Sequence, residues 1–245
     1  MIEQNLTERQ LQILKAVIEE YIETAQAVGS ETLDKKYNLG VSPATIRNEM
    51  VRLTEKGYLK QPHTSAGRTP TPIALKLYVE RLMKQNEISV AEEVSVKQKI
   101  WDARTEMDKL LKEATKTLAQ QTKTMSLAAT DEGDIFASGV GNILNMPEFY
   151  DIDLTRHLLE TLDEYDFWWS VFSPFFSQEE QLAIFLGEDL KEKYLRECGG
   201  VFVQFHSPSH KGAIGVVGPC RLNYSKIIPS VRYMGQLINE IATSW

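Results

Sequence analysis

The chain has 245 residues, 42% hydrophobic and 25% charged, with 27 Lys+Arg against 34 Asp+Glu for a formal charge of −7. That length can bury a core in one domain or two, and an acidic total argues against a uniformly basic nucleic-acid coat. Two cysteines, Cys198 and Cys220, at no metal or disulfide spacing, exclude a disulfide scaffold and suit a reducing cytoplasm. The polar start Met-Ile-Glu-Gln-Asn-Leu-Thr does not read as a signal peptide, and no apolar run is long enough for a bilayer, so no membrane association is expected.

The total hides an asymmetry. Residues 1–86 carry 12 basic and 10 acidic side chains, the remainder 15 and 24, and within 42–84 the count is 8 to 3. Such a pattern predicts an anion-binding head on an acidic body.

Thr7, with Gln10 three residues on, reads as a capping box. Leu11, Leu14, Val17, Ile18, Tyr21 and Ile22 then make an apolar face to about Thr24. Ala25–Gly29 breaks that helix, and Ser30 caps a short second one with Leu33 and Tyr37 inward. Asn38-Leu-Gly40 is a tight turn. Ser42 is a strong N-cap residue and Pro43 suits the first helical position. Ile46, Met50 and Leu53 recur at i, i+4 and i+7 as one buried stripe. The opposite face holds Ala44, Asn48 and Arg52, flanked by Thr45 and Arg47, with Glu49 to one side. Small residues first, then amide and guanidinium groups, suit the DNA major groove, where Asn pairs with adenine and Arg with guanine or phosphate. An ordinary polar surface helix is the competing reading. Helix, short helix, glycine turn and helix is the helix-turn-helix pattern.

Tyr58–Gln61 is a strand candidate, Thr64–Gly67 a turn, and Arg68–Pro70 the start of a return. This is a wing, or else a plain loop. Its tip offers Lys60, His63, Thr64, Ser65 and Arg68 for phosphate or minor-groove contact. Thr71-Pro72 caps a further helix with Leu75, Tyr78, Val79, Leu82 and Met83 inward.

After a polar linker over 85–91, Glu92 to about Thr124 contains no Pro or Gly. Met107, Leu111, Ala114, Leu118 and Met125 predict one long amphipathic helix, either a dimer seam or a helix packed on the next domain. Ser126–Thr130, Ile135–Ser138, Leu182–Leu186, Gly200–Phe205 and Ala213–Val217 read as strands. Ile152–Glu164 and Tyr224 to the C-terminus read as helices, and the whole as α+β.

Sites for chemistry are weak. Ser207-Pro-Ser209 cannot be helical between His206 and His210, which argues against a metal pair. Cys220 beside Arg221 lacks a partner His. Gly139-Val-Gly141 lacks the third glycine and the strand–helix frame of a dinucleotide fingerprint. Phe167, Trp168, Trp169, Phe172, Phe175 and Phe176 fit a ligand pocket, but more often such a cluster is core or a partner surface. No Walker motif or triad is visible, so no enzyme, catalytic residue, cofactor or metal is expected.

The residues also carry a family resemblance. Leu6-Thr-Glu-Arg-Gln-Leu11, Val28-Gly-Ser30, Ser42-Pro-Ala-Thr-Ile-Arg-Asn-Glu-Met50, Gly57-Tyr-Leu59 and Pro62-His-Thr-Ser-Ala-Gly-Arg68 resemble the heat-inducible transcription repressor HrcA family. Asn142-Ile-Leu, Pro147-Glu-Phe149, Gly187-Glu188, and Gly212 through Arg221 resemble its C-terminal signatures, with Tyr224 following. The resemblance implies a winged-helix head over 1–86, a linker and long helix over 87–125, and a GAF-like mixed α/β domain over 126–245. It also implies a homodimer acting on double-stranded DNA at an inverted-repeat operator upstream of chaperone genes, with the chaperonin as a partner that keeps the repressor active. Ser42 to Arg52 would enter the major groove and Thr64 to Arg68 would form the wing. One departure stands out: Met125–Thr130 passes almost directly into Gly133–Phe136 and Asn142-Ile-Leu, where the family carries an inserted dimerisation domain. The 92–124 helix, or an apolar surface around Trp168 and Trp169, is expected to substitute. The alternative is a metabolite-sensing winged-helix regulator with a small ligand in the GAF-like domain.

Overall fold

A computed structural model describes residues 6–177, 182–207 and 210–242. Contacts divide the chain into two compact units, Met1–Lys84 and Gln85–Trp245.

The first unit opens with α1 (Glu8–Thr24), whose start is held by the reciprocal Thr7–Gln10 capping box expected from the sequence. It continues through α2 (Ser30–Lys36) and α3 (Pro43–Glu55). The hairpin β1 (Leu59–Lys60) and β2 (Thr69–Pro70) and then α4 (Pro72–Leu77) complete it, α4 running into a π-helical turn over Tyr78–Leu82. Ile13, Leu14, Val17 and Ile18 of α1 meet Leu33 of α2 and Ile46, Met50 and Leu53 of α3 in a core that also takes Leu59, Leu75 and Tyr78. The α1–α2 corner is fixed by a buried acid. Glu20 accepts from Lys36 Nζ at 2.9 Å and lies 3.4 Å from the Tyr37 hydroxyl. Burial, and then the Glu20 carboxylate, push the Tyr37 phenol up to about 12. The strands are shorter than the sequence suggests, two residues each in antiparallel register Leu59↔Pro70 and Lys60↔Thr69.

The second unit is built on a five-stranded antiparallel sheet of order β4-β3-β7-β6-β5. Its strands are β3 (Met125–Thr130), β4 (Ile135–Ser138), β5 (Leu182–Leu186), β6 (Cys198–His206) and β7 (Lys211–Pro219). Side chains alternate across a strand. One face, with Met125, Leu127, Ala129, Phe202, Ala213 and Val217, packs on the short helices α7 (Val140–Ile143), α8 (Ile152–Glu160) and α9 (Tyr165–Phe172). The other face receives α6 (Met107–Thr122) and α10 (Tyr224–Ala242), the latter so close that a Cβ on Gly235 would lie 2.5 Å from Val203 Cγ2. Central strands covered on both faces explain why β3, β6 and β7 are buried along their length except at His206 and Lys211. The five strands and the two C-terminal helices fall where the sequence puts them, with α8 giving way to a 3₁₀ turn at Thr161.

Two expectations are corrected. The single helix over 92–124 is two, α5 (Val90–Trp101) and α6, separated by Asp102–Glu106. Asp and Thr are weak helix formers, and folding back lets Val96 and Ile100 leave water, with Lys99 Nζ reaching Gln120 Oε1 at 3.3 Å. A continuous helical seam over this stretch is therefore absent. Within the aromatic cluster Trp168, Phe172 and Phe175 are core while Phe167, Trp169 and Phe176 are half-buried; Trp168 is fully buried among Phe167, Phe172 and Phe202, and its indole N–H donates to Thr161 O at 3.0 Å. Trp168 belongs to no surface.

The remaining chemical candidates resolve structurally. Gly139, at φ +74°, lies where a Cβ would meet Ala119 and Thr124 at 2.6–2.7 Å. From there Asn142 Nδ2 donates to Ala119 O and Thr124 O, closing the end of α6 rather than cradling phosphate. Arg221 pairs bidentately with Glu148 at 2.6 and 3.0 Å, joining two of the C-terminal signatures. Cys198 is buried, and both cysteines are free thiols. His210 lies 3.4 Å from Glu132, while Pro208 and Ser209 lie outside the described residues. Among the described residues no cluster of metal-ligating side chains occurs, and no helix is long and apolar enough to cross a membrane. Where β3 leaves for β4, the chain turns within Asp131–Asp134, Thr130 N donating to Asp134 O at 3.1 Å. Pro229 lies inside α10 and cannot donate to the carbonyl of Ser225, which instead accepts from Asn86 N at 3.0 Å.

Candidate nucleic-acid interface

Helix α3 starts as its sequence dictates, Ser42 Oγ accepting from Thr45 N at 3.3 Å with Pro43 in the first turn. Ile46, Met50 and Leu53 point into the core, which leaves Ala44, Arg47, Asn48 and Arg52 exposed along one side. The Ser42 and Thr45 hydroxyls lie 3.0 Å apart and are engaged with each other.

The hairpin brings a second set of predicted residues to that side. Arg47 and Met50 of α3, Gln61, Thr64 and Ser65 of the tip, and Arg68 line one cleft of about 360 Å³. Gln61 braces the tip, its Nε2 donating to Thr64 O at 2.9 Å and Ala66 O at 3.0 Å. Lys60 and His63 are exposed on the strand and the tip. Arg68 faces inward: half-buried, it donates from Nε to Thr54 Oγ1 at 3.1 Å, and its backbone bridges Val28 in both directions at 2.8 Å. The same approach requires Gly67, since a Cβ there would stand 2.3 Å from Val28 O. Arg68→Ala is expected to lower the denaturant midpoint by the equivalent of about 1 kcal/mol. An unchanged midpoint would show that the bond to Thr54 contributes nothing.

Three residues named in the sequence take roles there that local spacing does not assign. Glu49 is buried, Gln10 reaches it from α1, and Gln61 holds the tip. Spacing could have paired Glu49 with Arg52 at i, i+3, but nothing local joins positions 10 and 49.

Residues 72–228 match the family model described as the HrcA protein C-terminal domain. The chain belongs to the HrcA family. It is similar to the heat-inducible transcription repressor HrcA of Acetivibrio thermocellus, 26% identical over 336 residues covering 96% of each chain. It is likewise similar to that of Clostridium acetobutylicum, 29% identical over 337 residues covering 96% of this chain and 97% of the other. A chain of 245 residues cannot fill 336 aligned positions, so at least 91 of them are gaps in this protein. A crystal structure described as a hypothetical protein at 2.2 Å shares the fold, with a TM-score of 0.77 at 19% identity, covering 98% of this chain and 99% of that one.

Proposed function

We propose that the first unit is a winged helix-turn-helix and that the chain is a heat-inducible transcription repressor, binding double-stranded DNA as a homodimer at an inverted repeat. The observation that carries this is the shared cleft: Arg47 of α3 and Thr64 and Ser65 of the hairpin tip face one space, with Asn48 and Arg52 exposed on the same helix. In this reading α3 lies in the major groove, Asn48 and Arg47 meet base edges or phosphate, and Lys60, His63, Thr64 and Ser65 meet the backbone. The excess of cations over 42–84 supplies salt-dependent attraction. Family membership supports the repressor role; a cytoplasmic location and the chaperonin as a modulating partner are part of the same proposal. The sheet of the second unit is read as GAF-like. The aligned positions this chain lacks are assigned to the tight Asp131–Asp134 turn, so two copies would have to pair without that segment.

Selection of bound duplexes from a random pool tests the reading. An enriched inverted repeat is the expected result, and recovery of no preferred sequence would overturn it. Asn48→Ala is then expected to shrink the preference for the enriched site over random DNA by ~1–3 kcal/mol, measured by competition. A preference left intact would remove Asn48 from the base contacts.

A further inference from the structure

We infer that Glu49 is a positioning residue for base recognition, holding the Arg52 guanidinium at one place on the exposed side of α3 without itself meeting DNA. The inference rests on α3 being the recognition helix. An acid on that helix would repel phosphate if it were exposed. Here its side chain is only 9% exposed, and a buried carboxylate persists only with partners. Glu49 has them from two directions. Gln10 Nε2 of α1 donates to Oε2 at 3.0 Å, and Arg52 Nη1 donates to Oε1 at 2.8 Å.

Gln10 is fixed in turn, 4% exposed, with its Oε1 accepting from Thr7 N at 3.3 Å and from Lys56 Nζ at 3.1 Å. The carboxylate cannot rotate towards solvent without giving up the bond to α1. Arg52 is thereby tied to the rigid part of the fold through one nitrogen, while its side chain stays 62% exposed. The guanidinium carries five N–H donors, so a planar edge remains for guanine or phosphate. Ordering this long side chain before DNA arrives removes a cost from the bound state and narrows the acceptors it can reach. Base preference at the position Arg52 meets therefore depends on a residue out of reach of the bases.

The test is a double-mutant cycle on the full chain, using duplexes enriched from the random pool and single-base variants of them. Arg52→Ala identifies the base pair whose preference relaxes. Glu49→Ala and Glu49→Gln are each expected to lower discrimination at that same pair about tenfold. In an Arg52→Ala background the same changes should alter it less than twofold. Glu49→Gln keeps the side chain's shape and an acceptor for Gln10, so the cycle survives if the alanine variant does not fold. Equal losses with and without Arg52 would overturn the inference, because Glu49 would then act on the fold alone. So would no loss in either background, or an Arg52→Ala protein with unrelaxed preference, even with the Asn48 contact intact. A wild-type chain that enriches no sequence would remove the recognition-helix reading, and this inference with it.

Discussion

Arg47→Glu is expected to reduce affinity for the enriched duplex by two to three orders of magnitude at low salt, without measurable unfolding. Arg47 is exposed on α3 and lines the cleft shared with Thr64 and Ser65. Its replacement puts a carboxylate where the proposed complex places a phosphate or a guanine edge, and a like-charge contact there costs several kcal/mol. The net charge over 42–84 drops from +5 to +3, so attraction to any duplex also weakens and the salt slope becomes shallower. An exposed substitution away from core and caps typically changes stability by no more than about 0.5 kcal/mol, so the melting curve is the control. Fluorescence anisotropy at two salt concentrations decides the matter. Binding within a factor of two of the parent would place the DNA elsewhere on the molecule.

Trp168→Ala is expected to cost about 3–5 kcal/mol of stability in the second unit. The indole is fully buried against Phe172 and Phe202, with ring centroids at 5.8 and 6.1 Å, and its N–H is satisfied by Thr161 O. Truncation leaves a cavity between α9 and the sheet and removes one of two donors to that carbonyl, which keeps its bond from Glu164 N at 3.1 Å. A melting temperature lower by on the order of 10 °C follows for a unit of this size. Calorimetry of the full chain reads it directly. If the variant instead lost self-association while melting like the parent, Trp168 would be an interface residue and the packing described above would be wrong.

These two positions also show what local sequence carries and what it does not. Arg47 was legible because a helix with Ile46, Met50 and Leu53 inward leaves little freedom in where residue 47 points. The N-cap at Ser42 and the five-strand pattern were legible for the same reason, being properties of neighbours along the chain. Trp168 was not, because a run of aromatics reads alike whether it fills a core or lines a surface. Its place is decided by Phe202, 34 positions away on β6. The 92–124 segment failed differently: nothing in it forbids a continuous helix, and the break at Asp102–Glu106 comes from what α5 gains by packing back on α6. Arg68 reads as a cation at a hairpin tip, yet Thr54 and Val28 draw it inward. Glu49 was visible as an acid to one side of the helix, but its burial depends on Gln10, 39 residues earlier.

The tie between Asn86 and the Ser225 carbonyl has a consequence for the order of assembly during translation. Together with Lys97–Glu240 and the Tyr233 hydroxyl on Glu93 O, it closes the beginning of the second unit against its last helix. These bonds span some 140 residues, so α5 has no α10 to settle on until residues 224–242 have left the ribosome, whereas the core of the head is complete in sequence by Lys84. Domains generally fold as units, the N-terminal one first. A nascent chain would therefore display a finished N-terminal head well before its acidic body has closed.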